Sequence, residues 1–344
     1  AGGALSGETV VMKPVDAALL EVLRAYALPG KIVATAPLKT GHINTTHVVH
    51  VAAAGGRRRF VLQRVNGRIF LNVPALMENV ARVTTHLRAK AHAGGERSAR
   101  VLSVVPAREG AACVRDGSGE WWRVYDFIEG THTVDRVVTE AQAREAARAF
   151  GRFQAHLADL PGVRLHETIL NFHHTPTRVA ALRAALAEDV LGRAREVRAE
   201  IDFALAREAD AQVLLDLMAA GRLTERVTHN DTKINNVMLD DATGHAVAVV
   251  DLDTVMPGLA LYDFGDLVRA SASSTAEDDP EPANMHLRLP LFRALVEGWL
   301  EAGAAPTADE RAHLGFAGKL IAYETGVRFL TDYLKGDVYF KVHH

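Results

Sequence analysis

The chain has 344 residues, of which 48% are hydrophobic and 24% charged, and its formal net charge is −3. This length allows one large domain or two moderate ones, and the small net charge gives no reason to expect nucleic acid or an anionic membrane as a partner. The one cysteine, Cys113, excludes an intramolecular disulfide framework and a cysteine-rich zinc site.

No apolar run approaches the roughly 18 residues that a membrane-spanning helix needs. Residues 1–16 also lack the basic region and apolar core of a secretion signal. The sequence therefore predicts a cytoplasmic protein without a membrane partner.

Short strand-like segments dominate residues 31–127. They are rich in β-branched and aromatic residues and are separated by glycine, asparagine or charged turns, which is typical of a small sheet. The predicted strands cover residues 31–38, 46–51, 59–65, 99–105 and 121–128. One helix is predicted after Pro74, over residues 75–91, because Leu76, Val80, Val83 and Leu87 recur every three or four residues.

Helix-forming segments dominate after Gly130. In residues 139–160 one apolar stripe is formed by Ala146, Phe150, Phe153 and Leu157. Further helices are predicted over residues 175–186, 190–220, 289–302 and 307–334. Residues 271–284 combine acids, prolines and small polar residues, which predicts an exposed loop.

One segment, Val227–Asp253, carries most of the functional information. Its first part has the spacing His-x-Asp-x-Lys-x-x-Asn, formed by His229, Asp231, Lys233 and Asn236. Two short apolar runs separated by a turn follow, and the second ends in Asp251. This layout is typical of a phosphotransferase catalytic loop followed by a metal-binding strand.

Each of these residue types suits phosphoryl transfer from ATP. A carboxylate, Asp231, can orient an acceptor hydroxyl and take its proton, and the Lys233 cation can offset charge on the transferred group. Asn236 and Asp251 offer the hard oxygen ligands that Mg²⁺ prefers. The structural alternative is a helix-capping aspartate beside a structural histidine. The apolar run Val-Ala-Val-Val that leads into Asp251 favours the phosphotransferase interpretation.

Several segments resemble the aminoglycoside phosphotransferase and choline kinase-like superfamily, and within it the N-acetylhexosamine 1-kinases. The matching segments are Thr40–Val49, Phe60–Phe70, Leu76–Val80, His229–Asp240, Val249–Arg269 and Tyr323–Lys341. The resemblance implies an α+β, two-lobed protein-kinase-like fold that has a small antiparallel-sheet lobe with one helix and a larger, mainly helical lobe. The N-terminal lobe, residues 1–125, would cover the nucleotide. A hinge over residues 126–130 would lead into the C-terminal lobe, residues 131–344, which would hold the catalytic loop and the acceptor site.

The resemblance also implies roles for individual residues. Asp231 would be the base, and Asn236 and Asp251 the Mg²⁺ ligands. Structural support of the catalytic loop would come from His229, Asp263 and Asp266. The hinge backbone would meet the adenine, and a glycine turn would cover the phosphates, which assigns cofactor binding to Tyr125, Phe127, Ile128 and Gly41.

One departure from protein kinases concerns the lysine that holds the ATP phosphates from the third strand. This chain has Gln63 and Arg64 in the corresponding segment. Either Arg64 takes the lysine's role, with Glu78 as a helix partner, or Lys233 supplies the charge. A solvated strand edge is the structural alternative for Gln63 and Arg64. A second departure is that Gly41 stands alone, outside any Gly-x-Gly-x-x-Gly pattern.

The acceptor site is predicted to involve His42, beside the glycine turn, and Tyr323 and Arg328, on a helix that borders the acceptor pocket in the sugar 1-kinases. The structural alternatives are a surface turn for His42 and an ion pair with Asp332 for Arg328. Adjacent histidines, His173 and His174, cannot both face one ion from a regular helix and are interpreted as loop surface.

The leading hypothesis is an ATP- and Mg²⁺-dependent kinase that phosphorylates the anomeric hydroxyl of N-acetylgalactosamine or N-acetylglucosamine. A kinase of the same fold for another small alcohol, such as a different hexose, an aminoglycoside, homoserine or choline, is the alternative. The tryptophans form no obvious aromatic cage, which argues against choline. A third hypothesis is a nucleotide-binding pseudokinase, which the missing strand lysine suggests and the intact acidic motifs oppose.

Overall fold

A computed structural model describes residues 15–38, 43–93, 100–275, 279, 281–302 and 306–340. Contacts between residues divide the chain into two compact units. The first is drawn from residues 1–133, 159–169 and 237–256. The second is drawn from residues 134–158, 170–236 and 257–344.

The described chain forms groups of consecutive strands and groups of consecutive helices. In chain order the strands are β1 (Gly30–Leu38), β2 (Thr45–Ala53), β3 (Gly56–Val65), β4 (Val104–Val105), β5 (Val114–Arg115), β6 (Trp121–Asp126), β7 (Thr131–His132), β8 (Arg226–Thr228), β9 (Val237–Asp240), β10 (Ala246–Val249) and β11 (Met256–Gly258). The helices are α1 (Ala17–Arg24), α2 (Val73–Ala93), α3 (Glu140–Leu157), α4 (Thr175–Glu188), α5 (Arg198–Leu205), α6 (Val213–Ala219), α7 (Ala260–Ser271), α8 (Leu289–Glu301), α9 (Ala308–Ala312) and α10 (Leu314–Lys335).

The first unit is built on an antiparallel sheet with the strand order β1-β2-β3-β6-β4, and β5 pairs with β6. The register aligns Val49 with Phe60 and Leu62 with Val124, and all four side chains are buried. Because alternate residues of a strand face the same side, these side chains form one apolar face. Helix α1 covers this face, where the buried Tyr26 donates a hydrogen bond to the Trp122 carbonyl oxygen.

A second sheet of the first unit has the order β10-β9-β7.

Helix α2 is fixed within the first unit through the fully buried Asn79. Its amide nitrogen donates to the carbonyl oxygens of His166 and Val255, and its oxygen accepts from the His166 amide. Asn79 therefore ties α2 both to the 159–169 segment and to the segment that follows β10.

The second unit is mainly helical. Helix α3 packs on α8, and α10 packs on α7 and α4. The predicted stripe of α3 is buried throughout. Two glycines allow close helix packing: a Cβ at Gly298 would collide with the Arg144 backbone, and one at Gly265 with the Ala317 carbonyl oxygen. Strand β8 pairs with β11, of which residues 257 and 258 belong to this unit.

Three predicted elements differ in the structure. The predicted helix over 190–220 is two short helices, α5 and α6, because left-handed residues at Asp189 and Gly192 and a 3₁₀ turn at 208–212 interrupt it. The predicted helix over 307–334 is divided into α9 and α10 at His313, whose ring bonds the Asp309 carbonyl oxygen. Of the predicted strand over 99–105, the described residues 100–105 form only β4.

The predicted α+β class, with an antiparallel sheet in the N-terminal region and helices in the C-terminal part, is confirmed. Helix α1 is an addition to the one predicted helix of the first unit. That unit also includes residues 159–169 and 237–256, which the sequence division assigned to the C-terminal lobe, and the hinge at 126–130 stays a prediction. Within the described ranges, no helix is both long and apolar enough to cross a bilayer.

Candidate active site

The predicted base, Asp231, lies in the second unit, in the loop between β8 and a 3₁₀ turn at residues 234–236. The residue before it, Asn230, has a left-handed backbone with φ of 64°. Asparagine tolerates this conformation better than most residues. The loop therefore turns sharply just before Asp231 and leaves its carboxylate partly exposed.

The buried carboxylate of Asp263, on α7, holds this turn. It accepts hydrogen bonds from the backbone N–H of His229 at 2.9 Å and of Asn230 at 2.7 Å. The Gln154 amide of α3 donates to the same carboxylate. Burial raises the pKa of Asp263 above its usual range, and the hydrogen bonds offset part of this rise. The carboxylate thus satisfies two loop N–H groups that would otherwise be buried without partners.

Asp266, one turn further along α7, holds the next part of the loop. Its carboxylate accepts from the Thr232 backbone N–H at 2.7 Å and pairs with the Arg269 guanidinium through two nitrogens. Burial alone would raise the pKa of Asp266, but the charge of Arg269 brings it below its usual range. Residues on both sides of Asp231 are therefore fixed to one helix.

His229 is fully buried and packs edge-to-face against the Phe150 and Phe153 rings of α3. Its Nδ1 accepts a hydrogen bond from the Asp231 backbone N–H at 3.3 Å. The motif histidine thus contacts the backbone of the base from the core of the second unit.

Among the described residues, the side chains of Lys233 and Asn236 contact the Asp231 carboxylate. The Lys233 ammonium lies 2.9 Å from Oδ2, and the Asn236 amide nitrogen donates to the same oxygen at 3.0 Å. The Asn236 nitrogen also donates to the Asp231 carbonyl oxygen. Both bonds of Asn236 use its nitrogen, so Asp231 does not engage the amide oxygen, which is the atom that binds a hard cation.

Asp251 lies in the first unit, just after β10. It is exposed, and its backbone is left-handed with φ of 59°. An exposed carboxylate at such a turn fits a magnesium ligand. Across the described ranges, no group of three or more His, Cys, Asp or Glu side chains is placed to hold a metal ion. Mg²⁺ commonly takes one or two protein oxygens together with nucleotide phosphates.

A buried ion pair that was not predicted from the sequence lies two residues further on. Asp253 is almost fully buried and pairs through both carboxylate oxygens with Arg123, which is 1% exposed on β6. Asn44 also donates to Asp253, at 2.7 Å. Burial by itself lowers the pKa of Arg123, but the charge of Asp253 raises it above its usual range. Two features of the sequence could have indicated this ion pair. They are the second aspartate of the Asp-x-Asp pattern and a charged residue inside an apolar strand.

The residues at the position of the kinase strand lysine have structural partners. Gln63 accepts from the Arg123 guanidinium at 3.0 Å and donates to Thr46, so its interpretation as a solvated strand edge is wrong. Arg64 is exposed and donates to the Thr45 hydroxyl at 3.2 Å. A partnership between Glu78 and Arg64 is not formed, because the exposed Glu78 carboxylate contacts the ring of His166.

The predicted hinge residues lie at the end of β6 and just beyond it. The buried Tyr125 pairs with Val61 in the sheet. Beyond the strand, the Phe127 amide donates to the Arg59 carbonyl oxygen, and the Ile128 carbonyl oxygen accepts from the Thr131 hydroxyl. Two backbone groups of this segment are thus bonded within the first unit. Gly41 and His42, predicted for the phosphates and the acceptor, lie outside the described residues.

The two acceptor candidates of α10 lie in different environments. The Tyr323 hydroxyl donates to the Ala204 carbonyl oxygen of α5 at 2.9 Å, and its ring joins an apolar cluster. Arg328 is half-buried, with its guanidinium 5.8 Å from the Tyr339 ring centroid and 5.4 Å from that of Phe340. Asp332 accepts from the backbone N–H groups of residues 338–340.

The interpretation of the adjacent histidines as loop surface is wrong for His173. Its side chain is 7% exposed and lies 2.9 Å from the Glu324 carboxylate of α10. His174 is the N-cap residue of α4 and accepts from the Thr177 N–H. A partner 151 residues away in the chain buries His173, and local sequence carries no sign of it.

The chain matches a known protein family and is similar in fold to several solved structures. The model of a family described as the phosphotransferase enzyme family matches residues 35–303. The GDP complex of wild-type aminoglycoside 2'-phosphotransferase-IIIa is similar, with a TM-score of 0.57, 13% identity and 94% of each chain covered. An aminoglycoside phosphotransferase from Alicyclobacillus acidocaldarius has a TM-score of 0.52 at 16% identity, covering 96% of this chain and 98% of the other.

A microcompartment-associated aminopropanol kinase has a TM-score of 0.50 at 19% identity, covering 93% of this chain and 97% of the other. At these identities the likeness concerns the fold. It confirms the predicted protein-kinase-like fold class.

Proposed function

The chain belongs to the phosphotransferase enzyme family, and from this premise we propose that it transfers the γ-phosphoryl group of ATP to the anomeric hydroxyl of an N-acetylhexosamine. The observation that carries the proposal is the Asp231 carboxylate, which is partly exposed in a loop whose backbone is fixed on both sides by Asp263 and Asp266. A base held in this way meets the geometric demand of phosphoryl transfer, in which positioning supplies much of the rate.

The proposed step uses the two oxygens of Asp231 differently. Lys233 and Asn236 both contact Oδ2, so we assign the acceptor hydroxyl to Oδ1. As the acceptor oxygen bonds to the γ-phosphorus, the bond between that phosphorus and the β,γ-bridging oxygen breaks and ADP leaves. The hydroxyl proton passes to Asp231. An anomeric hydroxyl is more acidic than an ordinary alcohol, so a carboxylate base suffices.

Asn236 and Asp251 are the proposed protein ligands of Mg²⁺. When bound, Mg²⁺ would neutralise charge on the nucleotide phosphates. The support is chemical: Asn236 keeps its amide oxygen away from Asp231, and Asp251 presents an exposed carboxylate. For the nucleotide we propose Arg64, Gly41 and the hinge residues Tyr125, Phe127 and Ile128, as the family resemblance implies.

We expect Asp251→Ala and Asn236→Ala each to raise the Mg²⁺ concentration needed for half-maximal nucleotide binding, because each substitution removes an oxygen ligand. Mg²⁺ is titrated at fixed ATP, with binding and turnover both measured. Asp241→Ala, at an exposed turn, is the matched control. An unchanged midpoint together with unchanged turnover in either variant would assign that residue a structural role.

The identity of the acceptor is the more specific part of the proposal. It rests on the resemblance of the α10 segment to the sugar 1-kinases and on the half-buried Arg328 guanidinium against two aromatic rings. His42 and Tyr323 complete the proposed acceptor residues. In the structure Tyr323 bonds Ala204, so Arg328 is the better candidate for a sugar contact.

We expect Arg328→Ala to raise the KM for the sugar about ten- to a hundredfold and to leave the KM for ATP nearly unchanged, because a charged hydrogen bond contributes roughly 1.5–3 kcal/mol. Arg198→Ala, on the exposed surface of α5, is the control. A lower melting temperature with both KM values unchanged would show that Arg328 only packs against the C-terminal rings.

An acceptor screen tests the function as a whole. ADP release is measured with ATP or GTP and with N-acetylgalactosamine, N-acetylglucosamine, galactose, kanamycin and 1-amino-2-propanol. The last two represent the acceptor classes named for structurally similar proteins. Phosphorus NMR locates the new phosphate, and the methyl glycoside of the reactive sugar, whose anomeric oxygen is blocked, should be inert.

A non-sugar acceptor in this screen would replace the sugar proposal while keeping the phosphotransferase activity. Binding of ATP, seen as a thermal shift, without transfer to any acceptor would favour the pseudokinase hypothesis.

A further inference from the structure

A buried histidine–carboxylate pair in the second unit has no part in the chemistry described so far. His173 Nδ1 lies 2.9 Å from Glu324 Oε1, and the two side chains are 7% and 1% exposed. The other oxygen of Glu324 accepts from the Thr175 hydroxyl at 2.7 Å. The imidazole ring packs against the rings of Phe172 and Tyr262. Because solvent has almost no access, the ring nitrogens depend on protein partners.

The second ring nitrogen contacts the loop that carries the proposed base. His173 Nε2 lies 3.2 Å from the carbonyl oxygen of Asn230. This oxygen belongs to the peptide group whose nitrogen is that of Asp231. The Asp231 N–H donates to His229 at the other edge of the same peptide group. Two histidines therefore hold one peptide plane, immediately before Asp231.

The two partners of His173 decide which atoms carry hydrogen. A carbonyl oxygen only accepts, so Nε2 must donate to Asn230. An ionised carboxylate also only accepts, so Nδ1 must donate to Glu324. A neutral imidazole has a single N–H and would turn a lone pair towards one of these oxygens. The contacts are thus complete only for the imidazolium form.

The charges around the ring agree with this protonation state. Burial by itself lowers the pKa of His173, but the hydrogen bond and charge of Glu324, with the charge of Asp266, raise it above its usual range. Burial by itself raises the pKa of Glu324, but His173, Thr175 and the charge of Arg178 bring it below its usual range. Two further described groups interact with the pair: the Tyr262 ring, and Arg269, which is itself paired with Asp266.

We propose that His173, held as an imidazolium by Glu324, is a positioning residue that fixes the Asn230–Asp231 peptide group and thereby the orientation of the base. The inference rests on the proposed role of Asp231 as base. His173 does not touch the reacting atoms; it acts through the backbone carbonyl. A displaced base can lower the rate about a hundredfold even when binding is intact, so this contact would act on kcat rather than on KM.

Loss of the imidazolium proton should weaken the hold of His173 on the loop that carries Asp231. The pKa of His173 is higher in the folded protein than in the unfolded chain. The stabilisation that the protonated ring gives is therefore complete below about pH 6.5 and is lost as the pH rises through the folded-state pKa. We expect kcat to fall on the alkaline side with this titration. Glu324→Gln removes the charge that favours the imidazolium, so it should move the alkaline fall of kcat to lower pH.

Two substitutions separate the two contacts of the ring. In His173→Gln the side-chain amide reaches the position of Nε2 and can still donate to Asn230, whereas in His173→Asn it reaches the position of Nδ1 and serves only Glu324. We expect His173→Asn to lower kcat about ten- to a hundredfold with both KM values within about twofold. His173→Gln should keep kcat within about threefold and lose the alkaline fall. His86→Gln is the control, at a ring that is 14% exposed and pairs with the exposed Asp159.

Hydrogen–deuterium exchange tests the positioning without any acceptor. The peptide that covers residues 226–236 should exchange about tenfold faster in His173→Asn than in the wild type, with His173→Gln near the wild type. Nitrogen-15 NMR of labelled histidine, assigned by the signal lost in His173→Gln, should show that the His173 ring keeps its imidazolium proton to a higher pH than a histidine of the unfolded chain. Neither measurement depends on the acceptor, so a wild type inactive with every acceptor would overturn the proposed function and leave this inference open to test.

Three results would overturn the inference. One is a His173 ring that loses its imidazolium proton at or below the pH at which a histidine of the unfolded chain does. Another is equal exchange of the 226–236 peptide in the two His173 variants. The third is an alkaline limb of kcat that Glu324→Gln does not move.

Discussion

Asp231→Asn is expected to lower turnover by about 10²–10⁴-fold, because asparagine keeps the shape of the side chain but cannot accept the proton of the acceptor hydroxyl. The fold should remain, since the contacts that hold the loop run from Asp263 and Asp266 to backbone groups. The lost ion pair with Lys233 is partly exposed, so the free energy of unfolding should change by less than about 1 kcal/mol.

Turnover is measured at saturating ATP and acceptor, with ATP binding followed by calorimetry and folding by thermal unfolding. Asp241→Asn is a matched control, because this exposed aspartate contacts a histidine at a surface turn. If Asp231→Asn kept more than a few tenths of the wild-type turnover, Asp231 would not be the base.

Arg123→Met is expected to lower the free energy of unfolding by about 3–5 kcal/mol, because it leaves the buried charge of Asp253 without its partner. Arg123 and Asp253 are 1% and 2% exposed, so water cannot replace the lost contact. Asn44 would remain as a donor to Asp253, but a neutral amide does not compensate a buried charge. Urea unfolding followed by circular dichroism measures the difference.

An exposed pair that also involves strand β6 provides the control. Arg58 of β3 contacts Asp126 of β6 at 3.0 Å, with the side chains 54% and 41% exposed. Arg58→Met should cost less than about 1 kcal/mol. The double variant Arg123→Met with Asp253→Asn removes both charges and keeps an acceptor for Asn44, so it should be more stable than Arg123→Met alone. Equal stability of the two would contradict the role of buried charge.

Periodic apolar patterns were sufficient to predict several helices and strands. The stripe of α3, ending in Leu157, is buried as predicted, and β2 and β3 form where β-branched residues alternate. Patterns failed where backbone geometry interrupts a helix-forming composition, as at Asp189 and His313. A helix boundary set by one left-handed residue or one ring-to-carbonyl bond leaves little trace in composition.

For the proposed functional residues too, the sequence predicted some contacts and not others. Asp231 and Asn236 are five positions apart in one short segment, with Lys233 between them, and their mutual contacts follow from local spacing that the sequence displays. Asp263 was assigned to the same loop only through family resemblance, and in the structure it accepts two of the loop's N–H groups. The roles of these residues in catalysis stay predictions.

By itself the sequence determined the α+β class, the family and the loop that carries Asp231, because each depends on residue types at short spacings. Only the tertiary structure decided which charges are buried and with which partner. Arg123 meets Asp253 across 130 positions and His173 meets Glu324 across 151. A buried charge is stable only beside a compensating group, and the group that compensates it is chosen by how distant segments pack, which no local pattern records.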